Sequence, residues 1–98
     1  MNVELKDTVE LMNSSDYKKR FIAEYLQTKI RYAKLKAFNN KIEAAKIGHT
    51  SKKIEEPTHD CPLELLREQQ RKMGEYIHIL EVRAQIEGIN LEIIPEKS

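Results

Sequence analysis

The chain is short of the residues that build most small stable scaffolds. It has one cysteine, three glycines, three prolines and no tryptophan in 98 residues. A single cysteine excludes an intrachain disulfide framework and suits a reducing compartment. So few glycines and prolines cannot punctuate a strand-rich sandwich or barrel. No apolar run approaches the roughly 18–20 residues of a membrane span. The N-terminal Met1-Asn-Val-Glu-Leu-Lys-Asp has no basic stretch leading into an apolar core, so no secretory leader is expected. Charge of one sign is also missing. Seventeen basic against sixteen acidic residues leave +1, which gives no general pull toward nucleic acid or a membrane surface. These absences describe a soluble intracellular protein.

What is present is helix-forming composition. Lys, Glu, Ala, Leu, Ile and Arg dominate, 34% of residues are charged and 40% are hydrophobic. A chain of this size gives at most one domain with a modest core, so oligomerisation is expected. Residues 1–15 read as a short N-terminal segment, with Val3, Leu5, Val9, Leu11 and Met12 forming a brief helix that packs late or frays. Asn13-Ser14-Ser15-Asp16 is a cluster of capping residues. The first long helix is expected over 16–45. Its stripe is Phe21, Tyr25, Thr28, Tyr32, Leu35, Asn39 and Ile42, flanked by Ile22, Leu26, Ala33 and Ala37. Thr28 and Asn39 interrupt the apolar face, and such polar groups set register or line a pocket.

Residues 46–60 form a loop around Gly48 and Pro57, long for a helix–helix connection and readable as a pocket wall or a mobile linker. The second long helix spans 61–88. Pro62 suits its first position, Cys61 or Asp60 its cap, and Gly88 its left-handed stop. Its stripe runs Leu63, Leu66, Gln70, Met73, Ile77, Leu80 and Ala84, widened by Leu65, Tyr76, Ile79 and Ile86. Residues 89–98 read as a short strand or extended tail, with Ile89 to Ile94 partly alternating before Pro95. The fold class is therefore all-α: two long antiparallel helices in a hairpin, oligomerising through the helices.

No motif for catalysis stands out. His49, His59, Cys61, Asp60 and His78 match no zinc spacing. Cys61 has no specified base or oxyanion site. Carboxylates such as Glu43, Glu64, Glu68, Glu75, Glu81 and Glu87 alternate with basic residues as solvated helix charges do. There is no phosphate loop or dinucleotide fingerprint. The arginines carry more. Arg67 and Arg71 stand one turn apart, so both guanidinium groups can converge on one anion, and Arg83 borders the apolar stripe further along. Surface pairing with Glu64, Glu68, Glu75 or Glu87 is the plainer reading of the same spacing. Phosphate clamping is the functional one.

Three segments taken in order resemble one family. They are Phe21-Ile-Ala-Glu-Tyr-Leu-Gln-Thr-Lys-Ile-Arg-Tyr-Ala-Lys-Leu, Cys61-Pro-Leu-Glu-Leu-Leu-Arg-Glu-Gln-Gln-Arg-Lys-Met-Gly-Glu-Tyr, and Arg83-Ala-Gln-Ile-Glu-Gly-Ile. Over about residues 16–91 the chain is similar to small phage proteins that include the Thoeris anti-defense protein 1 family. That resemblance implies a phage-encoded sponge in the cytoplasm of the infected bacterial host. It would hold glycocyclic ADP-ribose without cleaving it, as a helical dimer that assembles into hexamers, and some relatives also capture cyclic trinucleotides. It implies no enzymatic activity, no cofactor or metal, no nucleic-acid partner and no membrane. Phosphate contacts fall to Arg67, Arg71 and Arg83, and base or ribose contacts to Phe38, Asn39 and Tyr76. The alternatives are a helical-hairpin interaction module and, disfavoured by near-neutral charge and the long loop, a small DNA-binding regulator.

Overall fold

The computed structural model describes residues 3–48 and 54–92. A 3-10 turn at Leu5–Thr8 leads into the short helix α1 (Val9–Met12), followed by the long helices α2 (Tyr17–Ile47) and α3 (Leu63–Glu87). The two long helices run antiparallel, and the molecule is 52 Å along its longest axis. The expected all-α hairpin is what forms.

Each boundary has a local cause. The Asp16 side chain accepts the Lys18 amide at 2.9 Å, satisfying one of the donors left free at the start of α2. Arg20 Nη1 donates to the Ser14 carbonyl at 2.9 Å and ties the preceding turn to the same end. At the start of α3, neither Cys61 nor Asp60 acts as the cap. Pro62 itself is the boundary residue rather than the first helical one: its backbone is extended (ψ 149°), and its carbonyl accepts the amides of Leu65 and Leu66. Gly88 closes α3 at φ 69°, ψ 36°. The Ile89 amide then reaches back to the Ala84 carbonyl at 2.9 Å, the hydrogen bond of a left-handed helix stop.

The main core lies where the first half of α2 meets the second half of α3. Phe21, Ile22 and Tyr25 pack against Ile77, Leu80 and Ala84, and Ile89 folds in behind the Gly88 turn. Ile89 is the buried member of the pair flanking Gly88, whereas Ile86 is 79% exposed. Leu91 packs against the same cluster. At the far end of the hairpin, Ile42 is fully buried and Asn39 nearly so. Midway, Tyr32 lies over Gly74, where an added Cβ would sit 3.3 Å from the Tyr32 ring. Any residue with a Cβ there requires the Tyr32 ring to give by a few tenths of an ångström, which opposes the roughly 1 kcal/mol by which alanine favours a helix over glycine.

Two expectations are corrected. The N-terminal segment is held, not frayed, in its described part. Asp7 and Thr8 are buried, the Glu4 amide donates to Asp7 Oδ2 at 2.9 Å, and Gln27 of α2 donates to Thr8 Oγ1 at 2.8 Å. The anchoring bonds come from polar residues that a search for apolar periodicity passes over. Residues 89–92 form no strand, because Gly88 turns the chain back onto the core and Asn90 Oδ1 captures the Glu92 amide at 2.9 Å. The rest of the expected tail lies outside the described residues.

Leu80→Ala should lower unfolding free energy by about 2–5 kcal/mol, since Leu80 is 1% exposed at the centre of this core. Gly88→Ala should cost about 1–2 kcal/mol, although no atom lies within 4 Å of the added methyl, because the penalty is conformational. Urea denaturation of both variants measures the two effects.

Candidate functional site

A cavity of about 340 Å³ opens between α2 and α3 toward the linker end of the hairpin. From α2 it takes Tyr32, Asn39, Asn40 and Glu43; from α3, Arg67, Gln70 and Arg71. Steps of seven and four bring Tyr32, Asn39 and Glu43 to one side of α2. Steps of three and four do the same for the α3 residues. The two polar interruptions of the apolar stripes, Asn39 and Gln70, meet here: Asn39 Nδ2 donates to Gln70 Oε1 at 3.0 Å and to the Leu66 carbonyl at 3.2 Å. The carbonyl partner fixes which end of the amide carries nitrogen. Asn39 Oδ1 is left buried without a hydrogen-bond partner, a costly state for an isolated carbonyl.

The two arginines are held differently. Arg67 crosses to α2 and pairs with Glu43 at 2.5 Å. Arg71 pairs along its own helix with Glu68 at 2.5 Å and with Glu75. Hydrogen bonding from Arg71 is the main cause that holds the Glu68 carboxyl below its ordinary range. All these side chains are about half exposed, so solvent weakens each pair. The guanidinium groups are stationed but not locked, an arrangement suited to exchanging a carboxylate for a phosphate.

A larger cavity, about 630 Å³, lies beside the main core. Its floor includes Ala84 and Ile89, and its charged lining is Lys29 with Glu81 and Glu92. Tyr25 donates to Glu81 at 2.8 Å, and Lys29 sits 5.3 Å above the Tyr25 ring. Burial, then the Glu81 carboxylate, pushes the Tyr25 phenol up to about 12. Two carboxylates against one ammonium make this the poorer host for an anion despite its size.

Of the six residues singled out from the sequence, Arg67, Arg71 and Asn39 come together at the smaller cavity. The other three do not line it. Arg83 is twelve residues past Arg71, roughly 18 Å along the helix. It donates to the Tyr17 hydroxyl at 2.6 Å and to Glu87 at 2.9 Å, and lies 5.1 Å above the Phe21 ring. Tyr76 hydrogen-bonds to Glu24 across the hairpin, and this bond is the main cause that raises its phenol. Phe38 packs edge-on against His59 of the linker at 6.4 Å. Tyr32, Asn40, Glu43 and Gln70 were not singled out as site residues. The available signal was the pair of polar breaks at Asn39 and Gln70, which only the register of the hairpin sets opposite each other.

The linker is fastened at its described end. His59 Nδ1 lies 2.7 Å from the Cys61 carbonyl and Nε2 lies 2.8 Å from Glu56. Glu56 in turn pairs with Lys46 of α2 at 3.4 Å. Both His59 partners are acceptors, so the protonated ring, with both nitrogens donating, satisfies the two together, whereas the neutral ring can donate to only one. Among the described residues, no three His, Cys, Asp or Glu side chains gather as a metal site. Nor is any helix there long and apolar enough to cross a membrane.

The family model described as Sequestin matches residues 15–86. The matched stretch takes in α2, the linker, all lining residues of the smaller cavity and α3 up to its last residue. No curated protein and no solved structure matches the chain.

The linker clasp predicts a pH response. The Cys61 carbonyl first, then Glu56, raises the His59 pKa above its ordinary 6.5. A raised folded value means the contribution is complete below pH 6.5 and is lost as pH climbs through the folded pKa. His59 chiefly, with help from Lys46, lowers Glu56 below its ordinary 4.5, so that contribution is lost as pH falls through the lowered value. The clasp is therefore tightest between the two. NMR titration of the His59 ring should give a midpoint above 6.5, and Glu56→Gln should move it down.

Proposed function

Because this chain belongs to the Sequestin family, we propose that it sequesters a small anionic ligand and does not transform it. The observation that carries this reading is the pair Arg67 and Arg71, one turn apart at the mouth of a cavity that also holds the buried Asn39 amide. The family's name speaks for sequestration. The ligand we assign is a cyclic nucleotide signal carrying a pyrophosphate, glycocyclic ADP-ribose of the Thoeris defence, and cyclic trinucleotides are further candidates. The setting is then the cytoplasm of a phage-infected bacterium, where holding the signal keeps the defence effector silent.

The chemistry required is recognition alone. Arg67 and Arg71 offer planar paired donors to the two phosphoryl groups. The Tyr32 ring offers an apolar face for the base, and Asn40 and Gln70 offer polar contacts to ribose. Asn39, buried beneath them, fixes the Gln70 amide through its hydrogen bond to Oε1. Helix α2 carries nine Lys and Arg against two Glu, so the near-neutral total hides a basic element beside this cavity, and its field favours anion capture. Without a nucleophile–base pair at the cavity, binding ends in retention.

A second copy of the chain completes the proposal. The outer face of α3 exposes Leu65, Tyr76, Ile79, Val82 and Ile86, an apolar surface suited to burial against another subunit. A cavity of 340 Å³ is at the small end of ligand pockets, about 300–1,000 Å³, and a neighbouring subunit would add a wall. The same apolar face favours the second reading, a hairpin whose partner is another protein.

Isothermal titration of the protein with glycocyclic ADP-ribose separates the two. Micromolar or tighter binding, with intact ligand recovered after heat denaturation, is expected of a sponge; absence of heat at micromolar concentration leaves the interaction module. Arg67→Ala should weaken binding by about 1.5–3 kcal/mol and leave the assembly unchanged in light scattering. Arg83→Ala should instead lower thermal stability, since Arg83 braces Tyr17, Phe21 and Glu87.

A further inference from the structure

The two carboxylates of α2 both turn to α3: Glu24 accepts from Tyr76, and Glu43 pairs with Arg67 at 2.5 Å. No carboxylate of α2 remains for its outer face, which keeps only cations. Lys29, Arg31, Lys34, Lys36 and Lys41 are exposed. None of them is in an ion pair among the described residues. Helical spacing sorts them into two rows. Lys29 and Lys36, seven residues apart, follow one side, and Arg31, Lys34 and Lys41 follow the other. Lys29 also shares the larger cavity with Glu81 and Glu92, so it is the weakest member. Between the rows run Ala33, Ala37 and Ala44, all exposed. The acidic surplus of the other elements masks this face in the total of +1. It does not cancel the face locally. Glu68 and Glu75 of α3 are paired with Arg71 and lie beyond a helix–helix separation of about 8–10 Å, against a Debye length of about 8 Å at physiological salt.

We propose that this face binds the phosphate backbone of duplex DNA, with α2 laid in the major groove. None of its five cations lines the smaller cavity, so it works with or without a ligand there. The side chains present favour this partner over others. Protein interfaces centre on aromatic residues, Met and Arg and are poor in Lys. A membrane-surface helix needs a free apolar side, and the apolar side of α2 is buried against α3. A phosphate backbone asks only for cations set to meet it, and it rewards them whatever the base sequence. The dimensions agree. A helix about 10–12 Å across with its side chains enters a B-form major groove about 12 Å wide. The short alanines then face the groove floor, and each row of cations reaches the phosphates of one wall. The major groove of A-form RNA is too narrow for such an entry.

The test is fluorescence anisotropy of the full chain with a labelled DNA duplex of about 20 bp, from about 50 to 200 mM salt. Binding should be micromolar at the low end and fall with a log–log slope of about −3 to −4, the value for roughly four phosphate contacts. Lys34→Ala and Lys41→Ala should each reduce that slope by about 1. Lys72→Ala, which removes the same charge from an exposed site on α3, should leave it unchanged. Ala37→Glu should abolish binding and keep thermal stability. Duplex RNA of the same sequence should bind about tenfold more weakly. No anisotropy change up to about 100 μM protein at low salt would overturn the proposal. So would equal effects of Lys34→Ala and Lys72→Ala, unchanged binding by Ala37→Glu, or RNA or polyglutamate binding as tightly as DNA, the mark of a general polyanion surface. The sponge reading is tested with a separate ligand and survives each of these results.

Discussion

The structure depends on the antiparallel contact of α2 with α3, made at two unlike places. At one end the contact is apolar: Phe21, Ile22 and Tyr25 against Ile77, Leu80 and Ala84. At the other it is largely polar, with Asn39 bridging to the Leu66 carbonyl and to Gln70. The apolar end supplies the driving force, because burial is roughly proportional to area and indifferent to direction. The polar end supplies register. A helix sliding by one turn would strand a buried amide with no partner, at a cost of about 1–3 kcal/mol. Tyr32 lying over Gly74 sits between them, close enough that a Cβ there would press on its ring at 3.3 Å.

That division explains the polar lining of the smaller cavity. At the apolar end the facing side chains interdigitate, and the larger cavity lies beside that core, against the Ile89–Glu92 turn. Where Asn39, Gln70 and two arginines replace them, the facing surfaces do not close, and the side chains turn toward solvent or toward each other. The arginines there pair with carboxylates: Glu43 across the hairpin, Glu68 and Glu75 along α3. Arg83 lies at the apolar end and serves the hairpin there, bound to Tyr17 and Glu87 and stacked over Phe21.

Much of the fold was legible from spacing. Three-four periodicity marked both long helices, Asp16 and Gly88 marked two of their ends, and the shortage of glycine and proline excluded a strand-rich sandwich or barrel. The polar anchors were not legible. Nothing local says that Thr8 receives Gln27, or that Ile89 follows Gly88 into the core instead of beginning a strand. Of the site, the one-turn spacing of Arg67 and Arg71 and the polar break at Asn39 could be read. Glu43 could not, since a charge on a helix face looks the same whether it points to water or to an arginine on another helix, and the polar break at Gln70 gained meaning only when the register set it opposite Asn39.

The sequence by itself determined the class of structure and the kind of chemistry on offer: helices from periodicity, paired guanidinium donors from an i, i+4 step. Both are properties of one helix and repeat every 3.6 residues wherever that helix lies. Only the tertiary structure decided which charges meet. The register between α2 and α3 joins residues 24 positions apart in Glu43 and Arg67, and sets Arg83 against Tyr17 and Phe21. Coulomb and hydrogen-bond energies depend on distances of a few ångströms, and those distances are set across the hairpin.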